Sequence, residues 1–201
     1  MTAEPAVTAA VSWLVFDYGQ VISYPQPPDA LAEMAGAAGV APTDFTERYW
    51  RHRLAYDAGC PAEQYWSQVV DRPLGPDDPL VAELDRADIA SWSHLNPRTV
   101  ALLDDLAADG HGLALLSNAP ASLADTIDAA PWAAAFHHRL FSCRLALTKP
   151  DPAIYAELLR QLQAPAAQVT FVDDRPENVQ AAADAGLTAL LYPQLPASSR
   201  R

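Results

Sequence analysis

Short apolar segments that stop abruptly at polar residues constrain the fold more than any other feature of this sequence. The strongest segments are Trp13–Phe16, 111–116 and 168–172. Apolar runs of this length, closed by turn-forming residues, are typical of buried β-strands. Two weaker strand candidates lie at 139–142 and 187–192. We therefore predict a sheet whose strands are buried on both faces.

Helical segments separate these strands along the chain. Asn96 and Asp151 each precede a proline, a combination that is typical of a helix N-terminus. The predicted helices of this part are 98–108, 153–163 and 176–185. Strands that alternate with helices favour right-handed crossovers and a mostly parallel sheet. The expected fold class is α/β, with a Rossmann-like core of three layers.

Residues 24–95 interrupt this alternation, because they read as helices throughout. The helices expected there are 28–38, 44–57, 61–70 and 78–92. We interpret this stretch as a helical cap inserted after the first strand. The expected division is a core formed by 11–23 and 96–194, a cap at 24–95, and loose termini at 1–10 and 195–201.

Composition narrows the possible partners. The 201 residues carry 25 acidic and 13 basic side chains, for a net charge of -12. This charge repels nucleic acid and anionic membranes, so we expect neither as a partner, and any anionic substrate must be held locally. No apolar run is long enough to cross a bilayer, and Glu4 stands where a secretory signal would be basic. Cys60 and Cys143 show no metal-site spacing, which predicts a reducing cytoplasm and two buried thiols.

Polar side chains follow the strands at one edge of the predicted sheet. In parallel sheets ligands bind at the carboxyl ends of the strands, where Asp17, Ser117 and the pair Asp173-Asp174 are expected. Carboxylates from two strands can share one Mg²⁺ ion, which prefers oxygen ligands. A helix beginning near Pro120 would add backbone N–H groups for an anion beside Ser117. This combination favours phosphoryl chemistry.

The only lysine of the chain, Lys149, strengthens this interpretation. All other basic side chains are arginine, and lysine is a compact point charge where arginine is a planar fork. A single lysine retained in such a chain is a candidate for a position that needs a compact point charge.

Four segments together resemble the motifs of the haloacid dehalogenase superfamily. In chain order they are Phe-Asp17-Tyr-Gly-Gln-Val-Ile, Leu-Leu-Ser117-Asn, Thr-Lys149-Pro-Asp-Pro and Phe-Val-Asp173-Asp174-Arg-Pro-Glu-Asn. The resemblance spans Trp13 to Tyr192 and is specific as an ordered set, although each motif alone is weak. It implies a hydrolase, most similar to phosphatases, with Mg²⁺ as cofactor and a small phosphorylated metabolite, such as a sugar phosphate, as substrate.

The resemblance also implies roles for individual residues. Asp17 would be the nucleophile, with Ser117 and Lys149 completing the catalytic group. The substrate-binding residues implied are Gly19, Gln20, Ser117, Asn118 and Lys149. The metal ligands implied are Asp17, the backbone carbonyl of Gly19, and Asp174, with Asp173 as a water-bridged neighbour.

Gly19 departs from the commonest phosphatase motif, in which a second aspartate acts as general acid and base. Positioned acid–base catalysis contributes typically about 10²- to 10⁴-fold, and glycine cannot supply it. A substrate with a better leaving group, such as an anomeric sugar phosphate, would need acid–base catalysis less. The Asp-x-Gly-x-Val form also resembles the branch of the superfamily that includes sugar-1-phosphate phosphatases. The alternative from another class is a catalytically impaired protein that binds phosphorylated metabolites.

A second alternative is a 2-haloacid dehalogenase. That motif carries a tyrosine two positions after the nucleophile, whereas Tyr18 comes one position after Asp17. The acidic pair at 173–174 also favours a metal, which dehalogenation does not use.

The cap offers two interpretations of its aromatic and basic residues. Either Arg51 or Arg53 grips a distal anion of the substrate, or the aromatic residues form the cap core and the arginines are solvated. Helical spacing places Tyr49, Arg53 and Tyr56 on one face. The oligomeric state is not readable from the sequence.

Overall fold

A computed structural model describes residues 12–193, and the termini predicted to be loose, 1–10 and 195–201, lie outside this range. A five-stranded parallel sheet forms the centre of the molecule, with strand order β3-β2-β1-β4-β5. The strands are β1 (Trp13–Phe16), β2 (Gly112–Ser117), β3 (His138–Phe141), β4 (Val169–Asp173) and β5 (Thr188–Leu191). The α/β class and the parallel sheet predicted from the sequence are confirmed.

Strand β1 lies in the middle of the sheet, paired with β2 on one side and β4 on the other. Its first residue, Trp13, is in register with Gly112 and Val169. A Cβ atom at position 112 would lie 2.7 Å from the Trp13 ring, so this pairing requires a glycine. Parallel strands pair evenly along their length, so one register aligns the carboxyl ends of all three strands.

The helices occur where the sequence predicted them, with one addition. They are α1 (Ala30–Ala38), α2 (Pro42–Asp57), α3 (Ala62–Val70), α4 (Pro79–Trp92), α5 (Pro97–Ala108), α6 (Ala121–Ala129), α7 (Ser142–Leu145), α8 (Pro152–Leu162) and α9 (Pro176–Asp184). The side chains of Asn96 and Asp151 accept hydrogen bonds from backbone N–H groups, which confirms both predicted N-caps. Helix α7 was not predicted, and Ser142 begins it instead of ending a strand.

Two apolar clusters cover the two faces of the sheet. Phe16 and Leu115 point to the side of α5 and α6, whereas Val15 and Leu116 point to the side of α8 and α9. Alternation of this kind follows from the period of two in a β-strand. The result is a core of three layers: helices, sheet and helices.

Helices α1 to α4 bury a third cluster of their own. It is rich in aromatic side chains, including Phe45, Tyr49, Tyr65 and Trp66, all fully buried. We propose on this basis that the structure divides as the sequence suggested, into a core and a helical cap at 24–95.

Two further sequence predictions concern the surroundings of the protein. Within residues 12–193, no helix has both the length and the apolar character needed to span a bilayer. The cytoplasmic location stays a prediction. Cys60 and Cys143 are free thiols, but both are partly exposed, so the expectation that they are buried is wrong.

Candidate active site

The carboxyl ends of β1 and β4 bring three aspartates together. Asp17 directly follows β1, Asp173 is the last residue of β4, and Asp174 comes next. One carboxylate oxygen from each lies within 4.8 Å of the other two. Asp17 is distant in sequence from the other two, and the parallel pairing of β1 with β4 explains why they are close together.

Lys149 lies between two of these carboxylates and is itself buried, with 2% of its surface exposed. Its Nζ atom is 2.8 Å from Asp17 Oδ1 and 2.6 Å from Asp173 Oδ2. Burial opposes the charged form, but Asp17 and Asp173 outweigh it and raise the pKa of Lys149. The lysine is therefore a fixed positive charge beside Asp17.

Asn118 holds the backbone at Lys149 through both ends of its side-chain amide. Its Nδ2 donates to the Lys149 carbonyl at 2.9 Å, and its Oδ1 accepts from the Lys149 N–H at 2.9 Å. The segment after β2 is thereby fixed to the segment before α8. Ser117, the last residue of β2, is 2% exposed and lines the same cleft as Asp17 and Lys149.

Asp173 is fully buried, and protein donors occupy both of its oxygen atoms. Besides Lys149, the donors are the Arg175 backbone N–H at 2.9 Å and Asn178 Nδ2 at 3.0 and 3.1 Å. Such a carboxylate positions its neighbours. Asn178 was within the fourth motif but received no role there. The sequence does offer a signal for Asn178. It lies five residues after the end of β4, in the first turn of α9, and that turn is close to the strand end.

The charge at this site is unbalanced. Burial raises the pKa of Asp17, Asp173 and Asp174 raise it further, and Lys149 opposes them. Burial and Asp173 also raise the pKa of Asp174. Three carboxylates against one ammonium group favour the binding of a further cation.

Gln20 and Gly19 line the cleft on the side of the core. Gln20 Nε2 donates to Asp174 Oδ2 at 2.8 Å, so this side chain orients a carboxylate. Seven of the predicted site residues line one cleft of about 530 Å³: Asp17, Gly19, Gln20, Ser117, Asn118, Lys149 and Asp174. Asp173 lies behind the cleft wall.

The cap supplies the other wall of the cleft through Trp50, Arg53, Leu54, Asp57 and Trp92. Arg53 is 7% exposed, so the expectation of solvated arginines is wrong at this position. Its guanidinium group binds Asp57 at 2.8 Å, and its Nη1 lies 3.2 Å from Asp88. Arg51 is exposed and pairs with Glu47.

Ser142 joins the cap to the core beside the site. Its hydroxyl accepts from the Ala119 N–H at 3.0 Å and donates to the backbone carbonyl of Asp57. The end of α2 is thus attached to the loop that follows Ser117.

Known proteins resemble this chain in sequence and in fold. The sequence pattern of the haloacid dehalogenase-like hydrolase family matches residues 3–186. The chain belongs to this family. A chloroplast flavin mononucleotide hydrolase of Arabidopsis thaliana is 32% identical over 91 residues, which are 45% of this chain and 37% of that protein. The match thus spans well under half of its length.

Solved structures of haloacid dehalogenase-like proteins share the fold. An enzyme of this family from Bacteroides thetaiotaomicron, in complex with magnesium and inorganic phosphate, has a TM-score of 0.73 and 15% identity, over 90% of this chain and 93% of that one. A 2-haloacid dehalogenase from Pseudomonas syringae pv. Tomato has a TM-score of 0.65 and 23% identity, over 94% of this chain and 90% of that one. Phosphate-binding and dehalogenase relatives therefore share one scaffold.

In this haloacid dehalogenase-like hydrolase, Gly19 lies below the cap residue Trp92. A Cβ atom at position 19 would be 3.6 Å from Trp92 Cζ3, which is an ordinary contact. The position therefore has room for the first side-chain atom of an aspartate.

Proposed function

We propose that this hydrolase is a Mg²⁺-dependent phosphatase that acts on a small phosphorylated metabolite through an aspartyl-phosphate intermediate. The observation that carries the proposal is the cluster at the carboxyl edge of the sheet, with three carboxylates and one buried lysine. A dianionic phosphate requires a local excess of positive charge, and this cluster is suited to bind a divalent cation beside Lys149.

The residues present fit magnesium. Asp17 and Asp174 offer hard carboxylate oxygens in a cluster where one oxygen of each aspartate lies within 4.8 Å of the others. The backbone carbonyl of Gly19 is the third predicted ligand, and Asp173, whose oxygens are occupied by protein donors, orients the group. When bound, the ion neutralises charge on the phosphate. The Bacteroides relative that was solved with magnesium and inorganic phosphate supports this assignment.

The proposed reaction has two steps. An Asp17 carboxylate oxygen attacks phosphorus, the bond to the ester oxygen breaks, and the leaving oxygen takes a proton from water. A second water then attacks phosphorus, releasing inorganic phosphate and restoring the Asp17 carboxylate. Lys149, Ser117 and backbone N–H groups near the start of α6 hold the phosphoryl oxygens in both steps.

Phosphatase activity is favoured over dehalogenation by the same cluster. Asp174 is oriented by Gln20 and faces the cleft beside Asp17, an arrangement suited to a metal ion. The flavin mononucleotide hydrolase relative is a second support, since its name states a phosphate ester substrate.

Phosphate release is the direct test. We would measure it with p-nitrophenyl phosphate, anomeric and other sugar phosphates, and flavin mononucleotide, with Mg²⁺ or with EDTA. We expect release that requires Mg²⁺ and is lost in Asp17→Asn, while the thermal unfolding midpoint of that variant stays at or above the native value. Release that persists in Asp17→Asn would contradict the mechanism, and chloride release from 2-haloacids would favour the dehalogenase.

Gly19→Asp separates a working phosphatase from a protein that only binds phosphorylated metabolites. We expect the variant to hydrolyse alkyl phosphates about 10²-fold faster, because it regains a proton donor for a poor leaving group. Gly19→Asn is the matched control, since it adds a side chain of the same size that transfers no proton. Inert variants that still bind Mg²⁺ and inorganic phosphate would instead support the binding role.

A further inference from the structure

Two large apolar side chains of the cap are exposed to the cleft. Trp50 is 51% exposed and Leu54 is 53% exposed, whereas most large apolar residues of the described chain are buried. They are four positions apart on α2, so they are neighbours on one helix face. Both line the cleft that contains Asp17. Contiguous exposed apolar surface in a cleft is typical of a ligand-binding site.

This surface is held in place from behind. The Trp50 ring meets the Tyr49 ring edge-on, with the centroids 4.9 Å apart and the planes at 84°. Tyr49 is fully buried, and its hydroxyl accepts hydrogen bonds from Gln26 at 3.1 Å and from Trp92 at 3.3 Å. The Trp50 ring thus contacts a fixed support. A preformed surface loses less conformational entropy when a ligand binds.

The charges of the cap wall disfavour a second anionic group on the ligand. Arg53 is already bound to the carboxylates of Asp57 and Asp88, and its Nη1 also donates to Tyr49. One guanidinium between two carboxylates leaves a net negative charge. Arg51 does not line the cleft, so neither arginine is placed to bind a distal anion.

From the apolar face, its support and this charge balance, we infer that the cleft selects phosphate esters whose other end is a flat, uncharged ring system. Trp50 and Leu54 are the specificity-determining residues, with the ring lying against Trp50. The inference rests on the proposed function for the phosphate end of the ligand. A polar sugar would leave the apolar wall uncovered, so anomeric sugar phosphates are the poorer substrates.

Two non-hydrolysable probes test this inference without turnover: 2-naphthylmethylphosphonate and methylphosphonate. Their affinities would be measured by calorimetry in the presence of Mg²⁺. We expect the native protein to bind the naphthyl probe about tenfold more tightly, a ratio typical of aromatic contacts. Trp50→Ala brings the ratio of the two affinities close to one, whereas Trp50→Phe retains most of the preference.

Tyr24→Ala is the matched control, because Tyr24 is 47% exposed and does not line the cleft. It should keep the full preference. Equal affinity of the native protein for the two probes, or a preference that survives in Trp50→Ala, would overturn the inference. Absence of phosphate release from every ester would overturn the proposed phosphatase, whereas the ratio of the two affinities reports on the apolar wall alone.

Discussion

The core and the cap each bury one cation between two aspartates, but they use different cations. The core cluster consists of Lys149 with Asp17 and Asp173, and the cap cluster of Arg53 with Asp57 and Asp88. All six side chains are at least nine-tenths buried by surface area. The two clusters have the same formal charge, so the difference between them lies in what surrounds that charge.

The core cluster faces the cleft and has a third carboxylate, Asp174, beside it. Arg53 and Asp57 of the cap cluster also line the cleft, but their polar groups are bound within the cap. Both Asp88 oxygens accept from Arg53, and the Tyr49 hydroxyl donates to Asp88 Oδ1 at 2.5 Å. A planar guanidinium suits such a closed network, while a compact ammonium leaves room for an incoming phosphate. From this difference we propose that the core cluster serves chemistry and the cap cluster serves stability.

Lys149→Met is the strongest test of this comparison. We expect kcat/KM for phosphate release to fall by about 10³-fold, because the variant loses a preorganised charge at the transferring oxygens. Lys149→Arg should not restore activity, since the guanidinium is too large for the position between Asp17 and Asp173. Steady-state kinetics would show this, and near-native activity of either variant would mean that Lys149 has only a structural role.

Arg53→Met tests the cap cluster in the opposite direction. Removing the arginine leaves Asp57 and Asp88 buried without a partner, so we expect the free energy of unfolding to fall by about 3–5 kcal/mol. Urea denaturation measures this loss. The turnover number per folded molecule should stay close to the native value.

Neutralising the whole cap cluster is the control for that loss. The triple variant Arg53→Met, Asp57→Asn, Asp88→Asn should recover part of the stability, because no charge remains buried alone. A triple variant that is less stable than Arg53→Met would show that packing, not charge, dominates the cluster.

Ser142→Ala tests the smaller connection between the two regions. The buried Ala119 N–H loses its acceptor, which costs about 1–3 kcal/mol in unfolding free energy. Thermal and urea unfolding would measure it. Thr126→Ala deletes an exposed hydroxyl and should change stability by less than about 0.5 kcal/mol. Equal effects of the two substitutions would mean that the Ser142 bridge contributes nothing.

The sequence predicted the core more completely than the cap, for a physical reason. Asp17 and Asp173 follow apolar runs whose length and ends indicate buried strands, and parallel pairing then places both at one edge. The burial of Arg53 was not predicted. Its partner Asp57 lies four positions on in the same helix, but its second partner Asp88 lies on a different helix, and no local pattern signals an ion pair between two helices.

Helix α7 escaped prediction because a helix of four residues has too little periodicity to detect. Trp50 and Leu54 are a different case. Helical spacing puts them on one face, but an apolar pair on a helix normally indicates a buried side. Only the structure shows that this face borders the cleft.

The central position of β1 has a consequence for the synthesis of the chain. The ribosome delivers β1 first, but its neighbour β4 begins only at Val169. The cap helices follow β1 directly and contact one another locally, so they can fold while the sheet is still incomplete. Until β4 arrives, β1 has an unpaired edge, which is the kind of surface that recruits other strands. A chain that stops before Val169 therefore leaves one edge of β1 open, and we expect such a chain to aggregate.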